Sequence, residues 1–281
     1  MMALLSVEDL RVSFPSPQGR VNVVDGISFE LGQERLGIVG ESGSGKSMTG
    51  RALLRLIRPP GRVEGRMRFE GQDLAALSER HMRALRGARI SMIMQDPRYS
   101  LNPVMTVGTQ IAEALRVHEH LPRREVRARV RQMLDSVRIT DPDRVAGLYA
   151  HELSGGMGQR VMIAMMLIPR PRLLIADEPT SALDVSVQAD VLRLIDDLVR
   201  DRSTADGGMA LILISHDLPL VARYCDRILV MNAGRIVESC AASDLHLASH
   251  PYTRGLLAAV PKMNETRAEL PVMDRSAWAG T

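Results

Sequence analysis

With 281 residues, 45% of them hydrophobic, the chain has room for one or two domains and ample apolar content for a core. A net charge of +3 and an aromatic content of 3% supply neither the clustered positive field nor the stacking side chains of a protein whose main partner is nucleic acid. Cys225 and Cys240 are the only cysteines and form no C-x-x-C pair, which argues against a secreted disulfide framework or a redox pair and leaves two inert thiols.

The segment from Met1 to Leu5, followed by Glu8 and Asp9, has no basic n-region and no long apolar stretch, so no signal peptide is expected. The longest apolar runs, such as Val161 to Pro169, fall short of the roughly 20 residues that span a bilayer. The expectation is a soluble cytoplasmic protein whose membrane attachment comes through a partner.

Leu5–Phe14 and Val21–Leu31 alternate apolar residues with Ser, Asp and Glu and read as an antiparallel edge layer, to which Met67–Phe69 belongs. Leu36–Val39, Ile90–Met94, Leu173–Ala176, Ala210–Ile214 and Arg227–Met231 are short and nearly continuously apolar. Such runs suit strands covered on both faces of a mainly parallel sheet.

Between the first of these runs and a helical pattern (Met48, Ala52, Leu53, Leu56) stands Gly40-Glu41-Ser42-Gly43-Ser44-Gly45-Lys46-Ser47, the G-x-x-x-x-G-K-[ST] phosphate loop. Its glycines let the backbone fold into a concave nest of inward N–H groups, and the following helix adds the positive end of its dipole. Lys46 is placed to reach the β- and γ-phosphates, and Ser47 to offer its hydroxyl to Mg²⁺. Lys46 and Lys262 are the only lysines in a chain otherwise supplied with arginine. A slim ammonium enters a crowded loop that a planar guanidinium does not fit.

From about residue 97 to 158 strand signals give way to helical periodicity. In Arg123–Val137, with Pro122 at its start, Val126, Val130, Leu134 and Val137 share one side and arginines, read as a solvated face, occupy the rest. This predicts an inserted helical subdomain. Val161–Ile168 is apolar all round and reads as a helix buried where the insert meets the sheet. Asp184–Arg200 is a further helix, with Val187, Val191, Leu194, Ile195 and Leu198 inward. After Glu238 the chain reads as a tail: a short helical stretch at Ser243–Ala248, then His250-Pro251-Tyr252-Thr253, then Arg254–Val260.

The strand Leu173–Ala176 ends in Asp177-Glu178. There Asp177 can hold Mg²⁺ through its hydration shell and Glu178 can orient and deprotonate a water that attacks the γ-phosphate, although acids at a strand end also occur as plain turn residues. Leu153-Ser154-Gly155-Gly156-Met157-Gly158-Gln159-Arg160 opens the buried helix and makes a second anion-binding helix start, or a simple cap if Ser154 is taken alone.

Together these motifs make the chain resemble the nucleotide-binding subunit of an ATP-binding cassette (ABC) transporter. Phosphate loop, Leu-Ser-Gly-Gly signature and Asp-Glu strand end stand in that family's order, and the likeness runs over about residues 3 to 260. The resemblance implies an α/β fold: a P-loop NTPase cassette with a mainly parallel core sheet, an antiparallel β layer and an inserted helical subdomain. It implies one ATPase domain over 1–281, with a nucleotide-binding core at 1–96 and 159–240, a helical subdomain at 97–158 and a C-terminal tail at 241–281.

It also implies site residues, with ATP and Mg²⁺ as the cofactors. Gly40 to Ser47 and Met48 would hold the phosphates. Gln95 and His216 match the glutamine that contacts Mg²⁺ and the switch histidine that reaches the γ-phosphate; each read singly is an ordinary surface amide or structural histidine. Phe14 matches the aromatic that stacks on adenine, and read singly fits a core position equally well. Ser181-Ala182-Leu183-Asp184 matches the loop that crosses a dimer interface. Ser154, Gly155, Gly156 and Asp184 would complete the ATP site of a second subunit, so that two ATPs lie in a head-to-tail dimer whose closing and opening is the power stroke.

Within that family, Gln95-Asp96-Pro97, Ser100-Leu101-Asn102-Pro103, Ile175–Thr180 and His250-Pro251-Tyr252-Thr253 are similar to importers of peptides, nickel and metal chelates. The implied partners are a second ATP-binding subunit, two transmembrane permeases and an extracytoplasmic substrate-binding protein, with the chain peripheral on the cytoplasmic face of the inner (plasma) membrane and no nucleic acid bound. Two departures stand out. Gly158 replaces the arginine common after Met157 in this branch. Two cysteines cannot build the iron–sulfur centre of many peptide-importer subunits, which leans toward the shorter nickel or metallophore members. The alternatives are a cassette acting on DNA or ribosomes, disfavoured by the lack of a long coiled coil or a second cassette, and an exporter cassette, disfavoured by the absence of fused membrane spans.

Overall fold

The computed structural model describes residues 3–94, 100–181, 183–202 and 208–260. In chain order the elements begin with strands β1 (Leu5–Ser16), β2 (Gly19–Leu31) and β3 (Arg35–Val39), helix α1 (Lys46–Leu53), strands β4 (Arg62–Phe69) and β5 (Gln72–Asp73), helix α2 (Glu79–Leu85) and strand β6 (Ile90–Ile93). Helices α3 (Val107–Arg116), α4 (Arg123–Ser136), α5 (Pro142–Ala146) and α6 (Gly155–Leu167) follow, with a 3-10 turn at Ala150–Glu152. The chain continues through β7 (Leu173–Asp177), α7 (Val185–Arg202), β8 (Ala210–Ser215), α8 (Leu218–Tyr224), β9 (Arg227–Asn232) and β10 (Arg235–Ala241). It closes with a 3-10 turn at Ala242–Leu247 and α9 (Pro251–Ala259).

Two compact units result. One holds the residues up to Ala75 together with those from Leu213; the other runs from Ala76 to Ile212. No helix among the described residues is long and apolar enough to cross a membrane.

In the first unit, the alternation of the N-terminal segment produces an antiparallel sheet in the order β2-β1-β4-β5. Leu5 stands opposite Leu31 on one side and opposite Phe69 on the other, all three buried, while Glu8, Glu30 and Arg68 face solvent. The same unit carries β3, parallel to β9, and β9 is antiparallel to β10. Leu36, Ile38 and Val39 are at most 1% exposed, as a strand covered on both faces requires. Helix α8 packs on β3 so closely that a Cβ on Gly37 would lie 2.0 Å from Val221 Cγ1.

In the second unit, β6 runs parallel to β7, and residues 210–212, the start of β8, lie on the other side of β7. Helix α4 buries Val126, Val130 and Leu134, and its C-cap Val137 is buried with them, as the spacing predicts. Arg123, Arg124, Arg127 and Arg131 are exposed, whereas Arg129 is half-buried and paired with Glu119 at 2.8 Å and Glu125 at 3.0 Å. From Val161 to Leu167 helix α6 is apolar all round, and it packs against α3, α4, β6 and α7.

Four differences from the sequence reading have local causes. Helix α1 ends at Leu53, because Arg55 turns to φ 52°, and Leu56 is 44% exposed rather than continuing an inner face. Helices α2 and α5 form from cap signals, Ser78 accepting from His81 N and Asp141 from Arg144 N, with too few apolar residues to show periodicity. The segment before Ala241 forms β10, an edge strand with no fully buried position. Beyond it, Pro251–Ala259 is a helix whose Tyr252 and Thr253 are buried, so this stretch is packed into the unit.

The contact between α8 and β3 gives a stability prediction. Gly37→Ala is expected to cost about 1–3 kcal/mol through overpacking, and Val221→Ala in the same chain to recover part of it. Urea unfolding of the two single variants and the double variant measures both quantities; additive losses would contradict the assigned contact.

Candidate functional site

The phosphate loop lies wholly in the first unit, between β3 and α1. Gly40 has φ 152°, and a Cβ there would stand 2.1 Å from Met231 O; Gly45 has φ 100°, and a Cβ there would stand 2.4 Å from Val23 O. Backbone from β9 and β2 therefore presses on the loop at two points that only glycine accommodates. The turn after β9 supports it further, since Gly234 N donates to Ser44 O at 3.1 Å. That turn is tied to β2: Asp25 N donates to Gly234 O at 2.8 Å, and the Asp25 carboxylate meets Arg235 at 2.8 Å and Arg11 at 2.6 Å. The hydrogen bond from Arg235, against the opposing effect of burial and with help from Asn22 and the charge of Arg11, holds the Asp25 carboxyl below the usual range.

Lys46 is 4% exposed. Its ammonium donates to Gly40 O and Glu41 O, each at 2.7 Å, and to Ser44 Oγ at 3.3 Å, so the charge is concentrated inside the loop. Helix α1 starts at Lys46 with Gly45 as its cap and no side-chain hydrogen bond at that cap, and the positive end of the helix faces the loop. Ser42 and Gly43 are exposed at the tip, and Ser47 and Met48 are half-exposed. Glu41 N donates to the hydroxyl of Tyr252, 3.1 Å away.

Two further expected residues sit in this unit. Phe14 on β1 is half-buried, and a Cβ on Gly61 would lie 2.8 Å from its Cε1, so one edge of the ring lies close to the Gly61 backbone. His216 is exposed directly after β8; behind it Asp217 caps α8 by accepting from Leu220 N at 2.9 Å.

The acids and the Ser-Gly-Gly segment belong to the second unit. Asp177 closes β7 at 4% exposure. Glu178 follows at φ 47°, a left-handed conformation uncommon for a residue with a side chain, and is half-buried. The turn after it is held from several directions. Ser181 donates to Glu178 O from its N at 3.3 Å and its Oγ at 3.2 Å; Gln159 of α6 donates to Pro179 O; Gln188 of α7 donates to Thr180 O at 3.1 Å and Leu183 O at 2.9 Å.

Ser154 caps α6, accepting from Met157 N at 3.3 Å. Gly155 and Gly156 open the helix beside the Ser181–Asp184 loop and α7: a Cβ on each would lie 3.8 Å from Leu183 Cδ2 and 3.2 Å from Val187 Cγ1, respectively. Asp184 is exposed, and its carbonyl accepts from Val187 N and Gln188 N, each at 2.9 Å. This unit thus joins the signature residues to the loop after the acids. Gln95 lies outside the described residues.

Sequence reasoning missed Tyr252, Gln159 and Gln188 as partners of these loops. Gln159 had a signal, being an amide in a helix otherwise almost wholly apolar, where a buried polar group needs a partner. Gln188 and Tyr252 become visible only through the fold.

Residues 24–181 match the ABC transporter family. The oligopeptide transport ATP-binding protein OppD of Salmonella typhimurium is 48% identical over 269 residues, covering 95% of this chain and 79% of that protein. The dipeptide transport ATP-binding protein DppD of Haemophilus influenzae is 48% identical over 272 residues, covering 96% and 81%. Among solved structures, cbiO1 from Clostridium perfringens, part of the ABC transporter complex cbiONQ, superposes with a TM-score of 0.73 at 27% identity over 88% of this chain and 92% of that one. With its phosphate loop, its acid-tipped strand and its Ser-Gly-Gly helix start, the chain belongs to the ABC transporter family.

Proposed function

We propose that this chain hydrolyses ATP to ADP and phosphate and so drives the import of small peptides through an ABC transporter. The observation that carries the reading is the buried Lys46 ammonium, set in a glycine cradle at the start of a helix whose N-cap is a glycine. Such a cradle is complementary to a triphosphate: cationic, rich in backbone donors and backed by a helix dipole.

Lys46 binds the β- and γ-phosphates, with Gly40 to Ser47 and Met48 lining them, and Phe14 stacks on adenine. For Mg²⁺ the candidate donors are the Ser47 hydroxyl, the Asp177 carboxylate and the Gln95 amide oxygen. Among the described residues no group of three or more His, Cys, Asp or Glu could hold a metal ion. One hydroxyl, one carboxylate and one amide oxygen suit an ion that keeps several waters and takes few protein ligands. Mg²⁺, when bound, neutralises charge on the transferring phosphoryl group.

Glu178 is the general base: it orients a water toward the γ-phosphorus and takes its proton as the bond to the ADP oxygen breaks. Its left-handed backbone and the bonds on the following turn support this role by fixing where the carboxylate starts. His216 steadies the γ-phosphate. Ser154, Gly155, Gly156 and Asp184 act across a dimer on the ATP of a second ATP-binding subunit. Two permeases and an extracytoplasmic binding protein complete the assembly, which places the chain on the cytoplasmic face of the inner membrane.

The names of OppD and DppD favour peptides as cargo. That moves the reading away from the nickel or metallophore cargo suggested by the absent cysteine cluster.

Two outcomes test this. In the purified transporter, Glu178→Gln should lower ATP turnover by about 10²–10⁴-fold while ATP still binds; turnover within a factor of a few of wild type would refute the base. In cells, deleting the chain should abolish uptake of a labelled tripeptide and leave nickel uptake intact. Loss of nickel or chelate uptake with peptide uptake retained would reassign the cargo.

A further inference from the structure

His250-Pro251-Tyr252-Thr253 forms the cap and first turn of the C-terminal helix α9. Tyr252 is among the largest fully buried side chains of the protein, at 1% exposure. Packing alone does not call for its hydroxyl, because phenylalanine fills the same space without the cost of burying a polar group. The hydroxyl instead accepts from Glu41 N at 3.1 Å, while the carbonyl of the same residue accepts from Lys46 Nζ at 2.7 Å. Glu41 is thereby held on both sides, by the C-terminal helix at its N–H and by the loop's own lysine at its C=O.

The tyrosine is itself anchored. His250 caps α9 by accepting from Tyr252 N at 3.1 Å, with Pro251 opening the helix. Ahead of the cap, Glu238 of β10 accepts from Ser249 N at 2.7 Å, from Ser249 Oγ at 3.3 Å and from His250 N at 3.3 Å. These bonds fix the approach of the chain to α9 and so the height at which the phenol meets the loop. A glycine-rich loop is the kind of segment whose ordering costs affinity, and a tether that orders it beforehand lowers that cost.

We propose that Tyr252 is a positioning residue of the nucleotide site. Its hydroxyl holds the Glu41 peptide, keeping the phosphate loop in its binding shape and making Ser249–Thr253 part of the ATP site. The inference rests on the ATPase reading given above.

Tyr252→Phe in the full chain removes one oxygen and keeps the ring. ATP affinity, measured by calorimetric titration, should fall about 5- to 20-fold, and hydrogen exchange at the Glu41 amide of the nucleotide-free protein should accelerate by a similar factor. In the assembled transporter the KM for ATP should rise while kcat at saturating ATP stays near wild type, a split that a general loss of folding does not produce. Wild-type affinity or wild-type Glu41 exchange in the variant overturns the proposal, as does a Glu41 amide that exchanges in the wild-type protein at the rate of an open peptide. If the wild-type chain binds no ATP, the ATPase reading fails instead, and the exchange data still judge the tether.

Discussion

The burial of one ammonium group shapes the region around the phosphate loop. A cation at 4% exposure persists only where oxygen atoms surround it, and Lys46 finds them in the carbonyls of Gly40 and Glu41 and the hydroxyl of Ser44. To bring those oxygens round, the backbone must turn through left-handed angles at Gly40 and Gly45. Those angles are locked by backbone that leaves no space for a side chain, Met231 O on β9 and Val23 O on β2. The antiparallel layer, the β9–β10 hairpin and the C-terminal helix therefore all have a part in holding eight residues in one shape.

The second unit solves a related problem with neutral groups. Glu178 occupies a backbone conformation that costs of order 1–3 kcal/mol, and such a residue stays put only when its neighbours over-determine it. Amides from two helices, Gln159 on α6 and Gln188 on α7, donate to three carbonyls of the turn that follows. The helix that begins with the signature residues is thus fastened to the turn that follows the acids. A movement of one element has a physical route to the other.

Much of this is legible in the amino-acid sequence. Nearly continuous apolar runs mark the positions of β3, β6, β7, β8 and β9, because strands covered on both faces are mostly apolar. The phosphate loop, the acids and Ser154 were read from spacing, since each motif is local in the chain. The rest depended on non-local contacts. β10 has no fully buried position and so leaves no apolar run to read. Glu41 and Tyr252 stand 211 positions apart in the chain, and no local pattern links a loop amide to a phenol at that distance. Phe14 reads two ways in the sequence for a physical reason: it is half-buried, with one ring edge close to Gly61, and so is partly a packing residue and partly an exposed one.

Calorimetric titration of the purified chain and of Lys46→Ala with ATP addresses the cradle most directly. A wild-type chain that binds ATP, with affinity lowered about 10- to 100-fold or more in the variant, is the result that a triphosphate seat built on this ammonium requires. Equal affinity in the two proteins would mean that the lysine serves the loop's fold alone and that ATP, if it binds, binds elsewhere.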